Sequence, residues 1–192
     1  MELVFASSNQ NKVTEIQKVV GSKIKLLSLN DINCNEEIEE TGKTFQENAL
    51  IKARYVFENY KLNCFADDSG LEVEALNNEP GVYSARYAGE PKSDTNNTQK
   101  LLRELSSKTN RKACFKTVIV LVIDGKEEFF EGKITGRIAL EANGNGGFGY
   151  DPVFIPDGYD KTFAQMTLEE KNAISHRAIA TKKLVQYLAA LT

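Results

Sequence analysis

An α/β fold with a mixed sheet is predicted by three features of the sequence. Residues 3–6 form a short apolar run typical of a buried strand, and a polar loop and a helical pattern follow it. A second helical pattern at 45–60 and a second apolar run at 64–66 continue the alternation of helix and strand. A long β-branched run at 114–123 returns through Asp124-Gly125, a two-residue hairpin signal, as an antiparallel strand. We therefore expect parallel and antiparallel pairs in one sheet.

The composition is that of an ordinary globular domain. A chain of 192 residues fits one domain, and 41% hydrophobic and 27% charged residues are average fractions, so we expect residues 1–192 to form a single domain. The net charge of −3 provides no positive field for a polyanion, which argues against DNA or RNA as a partner. An anionic ligand would have to be held by local Lys or Arg side chains, by backbone N–H groups or by a metal ion.

Neither the cysteines nor the start of the sequence indicates export. Cys34, Cys64 and Cys114 are odd in number and lack metal-ligand spacing, which is typical of reduced thiols in an intracellular protein. The apolar start at 3–6 is too short for a signal peptide, and no apolar run is long enough to cross a membrane. We expect a cytoplasmic protein with no membrane partner.

A polar loop between the first strand and the first helix is a candidate anion site. Its side-chain donors include Ser7, Asn9 and Lys12. The helix that follows has its apolar side chains on one face: Val13, Ile16, Val19 and Val20. A strand, loop and helix in this order present backbone N–H groups and the positive end of the helix dipole to an anion. An ordinary helix cap with a solvated lysine would show the same pattern, so both interpretations stay open.

Two adjacent carboxylates follow the apolar run at 64–66. Asp67-Asp68-Ser69-Gly70 is predicted to be a tight break, since Leu71 begins a second run in which apolar and acidic residues alternate. Carboxylates at the end of a sheet strand can hold a hard cation or accept a proton from water. A polar turn of the same composition is the alternative. The acidic run 36–40 is typical of a solvated loop, although it could supply one more carboxylate to a cation at Asp68.

Side-chain caps predict where further helices begin. Thr44 and Thr167 each stand three residues before a Glu, which is the capping-box pattern, and Asp94 is expected to cap the helix between them. A second strand is expected at 24–29, and a last helix is expected to open at 175–177. The side chains predicted to face inward are Phe45, Ala49, Ala53, Val56, Phe57, Tyr60, Leu101, Leu102, Leu105, Ala178, Ile179, Leu184, Val185 and Leu188.

The glycine-rich segment 143–152 is a candidate ligand loop. Its glycines alternate with Phe148 and Tyr150, and such a loop can wrap closely on a ligand while offering aromatic faces for stacking. A flexible connector is the alternative, although connectors rarely combine aromatic residues with glycine so densely. His176 and Arg177 stand at the start of the last helix, where the helix dipole disfavours cations, and this placement suggests a compensating ligand.

Six segments taken together resemble the Ham1-type inosine triphosphate pyrophosphatases, a family that hydrolyses purine nucleoside triphosphates with non-standard bases. They occur in the family's order and span nearly the whole chain. The segments are 7–12 (SSNQNK), 40–49 (ETGKTFQENA), 66–71 (ADDSGL), 80–87 (PGVYSARY), 147–152 (GFGYDP) and 175–177 (SHR). The family often has Thr at the position of Ser7 and Gly at that of Asn11. Ser keeps the hydroxyl, and Asn tolerates the same backbone conformation.

The resemblance implies an elongated, two-lobed α/β fold with a long mixed central sheet flanked by helices and a cleft between the lobes. It implies a Mg²⁺-dependent reaction of a nucleoside triphosphate with water that gives the monophosphate and pyrophosphate. ITP, dITP and XTP would be the substrates, so that the enzyme cleanses the nucleotide pool. The resemblance also implies a homodimer.

The resemblance assigns roles to individual residues as well. Asp68 would accept the proton and, with Glu40, would bind Mg²⁺. The triphosphate would be held by Ser7, Ser8, Asn9, Gln10, Asn11 and Lys12. The substrate would further contact Ser69, and the nucleoside pocket would contain Phe148, Gly149, Tyr150, Asp151, Lys171, His176 and Arg177. The choice of Asp68 over Asp67 rests on the family alone, because neighbours on an extended chain point to opposite sides.

Base selection is expected to depend on the purine 6-position. Hypoxanthine and xanthine present a carbonyl there, to which Arg177 or a backbone N–H could donate, whereas adenine presents an amino group. A site built to hydrogen-bond one pattern rejects the other strongly.

Other functions fit parts of the pattern. A related pyrophosphatase for pyrimidine or modified nucleotides would share the fold. A nucleotide-binding protein without activity would bind ITP without turnover, although the intact acidic cluster argues against it. Loop 7–12 lacks the glycines of a P-loop or of a dinucleotide fingerprint, which disfavours an oxidoreductase.

Overall fold

The structure of the chain, a computed structural model, describes residues 1–22 and 24–191. Its strands are β1 (Glu2–Phe5), β2 (Lys25–Leu27), β3 (Cys64–Val73), β4 (Glu79–Pro80), β5 (Lys112–Ile123), β6 (Lys126–Ile138) and β7 (Phe154–Pro156). Its helices are α1 (Gln10–Val20), α2 (Phe45–Tyr60), α3 (Asp94–Glu104), α4 (Leu168–Ile174) and α5 (His176–Ala190). The predicted α/β class is confirmed.

The strands form one mixed sheet, as predicted. Its order is β2-β1-β3-β5-β6-β7, and β4 pairs with β3. β1 runs parallel to β2 and to β3, because the chain returns to the sheet each time through a helix, α1 or α2. β4 is antiparallel to β3, and β7 is antiparallel to β6. Asp124 and Gly125 join β5 to β6, and both have positive φ, as a two-residue hairpin turn requires.

The chain forms two compact units, and each has its own apolar core. The first unit contains residues 1–68 and 117–132 and the C-terminal segment from Arg177. The second contains residues 69–116 and 133–176. In the first core Phe5 stacks on Phe65, with ring centroids 4.8 Å apart, because these residues are paired in β1 and β3. The second core contains Leu71, Leu101, Phe115, Ile138, Phe154 and Phe163. The single domain expected over residues 1–192 stays a prediction.

The predicted break at Asp67-Asp68-Ser69-Gly70 is wrong. β3 runs without interruption from Cys64 to Val73. Asp67 and Asp68 are both held by hydrogen-bonding partners in the first unit, so the backbone stays extended through residues that usually favour turns. The strand predicted at 24–29 is also shorter, at Lys25–Leu27.

Two of the three predicted helix caps are confirmed, and one is displaced by a residue. Thr44 and Thr167 both form complete capping boxes, with Glu47 and Glu170. Asp94 does not cap α3. Ser93 does so, by accepting the backbone N–H of Asn96 at 3.2 Å, and this leaves the Asp94 carboxylate available for another contact.

Most of the side chains predicted to face inward from the helices are buried. The buried ones are Phe45, Ala49, Ala53, Val56, Leu101, Leu105, Ala178, Leu184 and Leu188. Phe57, Tyr60, Leu102, Ile179 and Val185 are only half-buried.

The three cysteines lie in the interior of the protein. Cys34, Cys64 and Cys114 are all buried, and none of the three is in a disulfide. Within residues 1–22 and 24–191, no helix has the length and apolar character needed to span a membrane.

Candidate active site

The polar loop after β1 ends at a side-chain helix cap. Asn9 Oδ1 accepts hydrogen bonds from the backbone N–H groups of Asn11 (3.0 Å) and Lys12 (3.3 Å). Helix α1 therefore begins at Gln10, and three of the six predicted phosphate-binding residues form its first turn. Ser7 Oγ accepts the N–H of Asn9 at 3.2 Å, and Ser8 is exposed beside it. The structure thus brings residues 7–12 together at one helix start; their binding of phosphate stays a prediction.

Lys12 reaches from this helix start to a buried carboxylate. Its Nζ lies 2.9 Å from both carboxylate oxygens of Asp67, whose side chain is fully buried. Burial lowers the pKa of Lys12 more than the charge of Asp67 raises it. The ion pair with Asp67 fixes the ammonium group near the start of α1, where the helix dipole is also positive. The charge of Lys12 and the helix dipole both favour the binding of an anion there.

Arg177 joins the same carboxylate to a second buried acid. Its Nη1 donates to Glu15 at 2.5 Å, and its Nε donates to Asp67 at 3.3 Å. All three residues are at most 5% exposed. A buried guanidinium between two carboxylates is compensated on both sides, whereas its removal would leave two anions without that cation. The role of Arg177 in reading the base stays a prediction, since its guanidinium is engaged by carboxylates in this structure.

Asp67 is held ionised by this network. Burial alone would raise its pKa, but the charges of Lys12, Arg177 and Lys52 outweigh burial and hold the pKa well below its usual range. A fully buried carboxylate with such low basicity is a poor acceptor for a proton from water.

Asp68 differs from its neighbour in partners and in basicity. Asn48 Nδ2 donates to its carboxylate at 3.0 Å, and 7% of the residue remains exposed. Burial raises the pKa of Asp68, and Lys52 and Lys12 lower it only in part. Of the two aspartates, Asp68 is therefore the more basic and the less completely buried.

Lys52 connects Glu40 to β3. Its Nζ donates to a Glu40 carboxylate oxygen, and at 2.7 Å to the backbone carbonyl of Asp67. Burial would raise the pKa of Glu40, but the charges of Lys52 and Lys12 bring it below its ordinary value. The charge of Glu40 in turn raises the pKa of Asp68, so these two carboxylates interact electrostatically.

The donors of this cluster suit Mg²⁺ without forming a cage for it. Across residues 1–22 and 24–191, no three His, Cys, Asp or Glu side chains are grouped to hold a metal ion. Mg²⁺ does not need such a group, because it usually binds one or two carboxylates and keeps several waters or takes substrate phosphate oxygens. Glu40 and Asp68 offer two carboxylates, and the charge of Lys52 lowers the pKa of each of them. This donor set fits Mg²⁺ bound with a polyphosphate.

In the second unit, the glycine-rich loop is built around a buried ion pair. Lys171 Nζ lies 2.5 Å from Asp151 Oδ2, and the backbone N–H of Phe148 donates to the same oxygen at 2.9 Å. Both charged residues are at most 4% exposed. The ammonium group also lies 4.9 Å from the centroid of the half-buried Phe148 ring. The ion pair therefore fixes the backbone and the ring of the residue predicted to stack on a ligand.

The neighbouring loop residues are fixed by other contacts. The backbone N–H of Gly149 donates to Asp94 at 2.7 Å, which is the contact left possible by the cap at Ser93. Tyr150 is buried in the second core, and its hydroxyl donates to the carbonyl of Ser84 at 2.7 Å. Tyr150 thus packs within its own unit, and its contact with a ligand stays a prediction.

The last two predicted contacts also belong to the second unit. His176 is buried, and its ring stacks on Phe115 with centroids 4.7 Å apart. Ser69 follows Asp68 on β3 and is half-buried. The contact of both residues with a substrate stays a prediction.

Three residues of the acidic cluster were not among the predicted site residues. Glu15, Asn48 and Lys52 each connect elements that are distant in the sequence. The available signal is helical spacing: Glu15 lies three residues after Lys12, and Lys52 lies four residues after Asn48. Which distant partner each would meet cannot be read from that spacing.

We expect Gly147→Ala to destabilise the loop more than an ordinary glycine substitution, because its Cβ would lie 2.0 Å from Asp151 Oδ2. Gly158→Ala is the matched control. Both glycines have positive φ, which costs a side chain about 1–2 kcal/mol, but nothing lies within 4 Å of a Cβ at Gly158. Urea denaturation should show the larger loss of unfolding free energy for Gly147→Ala. Equal losses would mean that the close approach to Asp151 is unimportant.

The chain is similar over nearly its whole length to proteins of one family. The sequence model of the Ham1 family matches residues 3–187. The chain is 56% identical over 187 residues to a dITP/XTP pyrophosphatase of Flavobacterium psychrophilum, covering 97% of this chain and 98% of that protein. It is 54% identical over 188 residues to a dITP/XTP pyrophosphatase of Porphyromonas gingivalis, covering 97% of each. The solved structure of the Staphylococcus aureus Ham1 protein matches with a TM-score of 0.91 and 42% identity over the full length of both chains. The chain therefore belongs to the Ham1 family.

Proposed function

We propose that this protein hydrolyses ITP, dITP and XTP to the nucleoside monophosphate and pyrophosphate, and so removes non-standard purines from the nucleotide pool. Relatives at 54–56% identity carry the name dITP/XTP pyrophosphatase. The observation that carries the proposal is the contrast between the neighbouring aspartates of β3. Asp67 is fixed as an anion by cations, while Asp68 has a raised pKa and interacts with Glu40. The pair supplies fixed electrostatics and a proton acceptor at adjacent positions.

The first unit would bind the polyphosphate. Lys12 is held in place by Asp67, so its charge is oriented before a substrate arrives, and this preorganisation strengthens electrostatic stabilisation of a reacting phosphate. The residues assigned to the triphosphate are Ser7, Ser8, Asn9, Gln10, Asn11 and Lys12. Substrate phosphates would use their hydroxyl, amide and ammonium groups together with the N–H groups at the start of α1.

Glu40 and Asp68 would hold Mg²⁺ in the same cluster. When bound, Mg²⁺ would neutralise charge on the phosphates and polarise the bond that is cleaved. Asp68 would orient the attacking water and accept its proton. Asn48 donates to the Asp68 carboxylate and therefore restricts its orientation. Lys52 would balance the charge of Glu40 when no cation is present.

The second unit would bind the nucleoside. Phe148 would stack on the base, because the Asp151–Lys171 ion pair holds its backbone and ring. A donor directed at the purine 6-carbonyl would favour hypoxanthine and xanthine over adenine. The other residues assigned to this pocket on the family pattern are Ser69, Gly149, Tyr150, His176 and Arg177.

The remaining parts of the proposal concern the whole protein. Residues 1–192 would act as a single domain, because the chain crosses from one unit to the other at four points and neither unit is one continuous segment. The homodimer is assigned on the family resemblance, and the exposure of Tyr83, at 66%, is compatible with it. Three buried cysteines outside any disulfide agree with a cytoplasmic location.

The proposal is tested by measuring pyrophosphate release from ITP, dITP, XTP, GTP, UTP and dTTP, with and without Mg²⁺. We expect kcat/KM to be highest for the first three and turnover to require the metal. GTP shares the 6-carbonyl, so its rejection depends on its 2-amino group being left unpaired, at a cost of about 1–3 kcal/mol. Preference for UTP or dTTP would instead identify a pyrimidine pyrophosphatase, and binding of ITP without turnover would identify a nucleotide-binding protein.

A further inference from the structure

Residues 42–44, between the acidic run and α2, are hydrogen-bonded to the first turns of that helix. Three successive backbone N–H groups donate to α2 side chains: Gly42 to Asn48 at 2.8 Å, Lys43 to Glu47 at 2.6 Å and Thr44 to Glu47 at 3.1 Å. The bond from Thr44 to Glu47 is part of the capping box of α2, and Lys43 donates to the same carboxylate. The bond to Asn48 differs, because Asn48 also donates to Asp68 of β3.

Asn48 therefore uses both ends of its amide on two parts of the candidate site. Its Oδ1 accepts from Gly42, two residues after Glu40, and its Nδ2 donates to Asp68 at 3.0 Å. The side chain is 3% exposed, so water does not compete for either bond. An aspartate at this position would lose the donor, and an alanine would lose both bonds.

Gly42 is the complementary part of this contact. A Cβ there would lie 2.6 Å from Asn48 Oδ1 and 2.6 Å from the Cβ of Glu47. Both neighbours belong to the packed first turn of α2, so a side chain at Gly42 would push the segment away from Asn48. The close approach thus requires glycine for reasons of space.

A second connection runs parallel to the first. Lys52 lies one helical turn after Asn48, on the same face of α2, and joins Glu40 to the backbone carbonyl of Asp67. Asn48 and Lys52 thus link the same two segments, 40–42 and 67–68, at points about 6 Å apart along α2. The first link is neutral and the second is charged, so only the second would be weakened when a cation replaces the Lys52 ammonium at Glu40.

We infer that Gly42 and Asn48 position Glu40 relative to Asp68 and thereby set the geometry of the cation site. We call the contact of Gly42 and Asp68 with Asn48 the Asn48 clamp. The inference rests on the proposed function, because it concerns the cation that Glu40 and Asp68 would hold. Asn48 is a positioning residue in this account, since it acts through two other groups and not on the substrate.

The test measures the binding of Mn²⁺ to the whole chain in the absence of nucleotide. The electron paramagnetic resonance signal of the free ion reports how much Mn²⁺ remains unbound. Loss of a group that orients metal ligands typically weakens binding by about 10–100-fold, and we expect a loss in this range for Asn48→Ala and for Gly42→Ala. Both variants break the contact between Gly42 and Asn48, and Asn48→Ala also loses the bond to Asp68, so the double variant should bind Mn²⁺ about as weakly as Asn48→Ala alone.

Asn59→Ala is the matched control. Asn59 lies on the same helix, is exposed and donates to the carbonyl of Tyr55 at 2.8 Å. The variant therefore loses one side-chain hydrogen bond of α2 that lies away from the acidic cluster. It should bind Mn²⁺ as the unsubstituted protein does. If Asn48→Ala folds poorly, Gly42→Ala keeps the test available, because Gly42 is only half-buried in a loop.

The outcomes separate this inference from the proposed function. ITP hydrolysis by the unsubstituted protein is measured on the same preparation, and its absence would reject the proposed function. Normal hydrolysis with unchanged Mn²⁺ affinity in Asn48→Ala and Gly42→Ala would overturn the clamp. Additive losses in the double variant would also overturn it, since two independent structural effects would then explain the data. Failure of the unsubstituted protein to bind Mn²⁺ would overturn it as well.

Discussion

Asp68→Asn is expected to reduce kcat for ITP hydrolysis by about 10³-fold or more while the protein stays folded. The substitution keeps the size of the side chain and removes both its charge and its basicity. A proposed cation ligand and the proposed proton acceptor are therefore lost together. Folding should be little affected, because burial raises the pKa of Asp68 and the native structure already disfavours its charged form.

The measurement is steady-state pyrophosphate release at saturating ITP, with circular dichroism and urea denaturation on the same samples. Asp160→Asn serves as the control, since Asp160 is fully exposed and lies 3.8 Å from Arg137 in a surface pair. This control should retain normal kcat. Substantial Mg²⁺-dependent turnover by folded Asp68→Asn would reject the role given to Asp68.

Arg177→Met is expected to lower the free energy of unfolding by about 3–5 kcal/mol. The substitution leaves Glu15 and Asp67 buried without the cation that lies between them, at 2.5 Å and 3.3 Å. Met can fill much of the volume of the arginine stem, so the loss is electrostatic and not a cavity effect. Lys12 would still neutralise Asp67, which leaves Glu15 as the less compensated group.

Urea denaturation at neutral pH checks this loss. Arg54→Met is the matched control, because Arg54 pairs with Glu127 at 2.6 Å but on the surface, where such a pair contributes about 0–1 kcal/mol. Adding Glu15→Gln to Arg177→Met should restore part of the lost stability by removing one buried anion. A loss for Arg177→Met no larger than that for Arg54→Met would contradict the description of Arg177 as the centre of the buried network.

The parts of the fold that could be predicted from the sequence depend on local signals. The capping boxes at Thr44 and Thr167 and the Asp124-Gly125 hairpin involve residues within a few positions of each other, and all three are present. The apolar faces of the helices follow from their period. The cap of α3 is Ser93 and not the predicted Asp94, because Ser and Asp are both good cap residues and the two are adjacent.

The extended conformation of Asp67-Asp68-Ser69-Gly70 could not be predicted from local signals. Its composition favours a turn, but distant partners keep it in an extended strand. Lys12, Arg177 and Asn48 approach it from positions 20 to 110 residues away. Local propensity contains no information about such contacts, so it predicts a break within the strand and cannot predict its ion pairs.

The same contacts explain why the two aspartates could not be distinguished by sequence. Alternation along a strand predicts only that their side chains point to opposite sides. What separates them is the charge around each one, with Lys12 and Arg177 on Asp67 and the amide of Asn48 on Asp68. The resemblance to a known family selected Asp68, and the raised pKa gives that choice a physical reason.

The central claim is that one attack by water releases both terminal phosphates together. Phosphorus NMR of a reaction with ITP and Mg²⁺ tests it most directly, because it resolves pyrophosphate, inorganic phosphate and the nucleoside diphosphate. We predict equal amounts of IMP and pyrophosphate from the first turnovers, with no IDP and no inorganic phosphate. Accumulation of IDP and inorganic phosphate, or no reaction at all, would contradict the account.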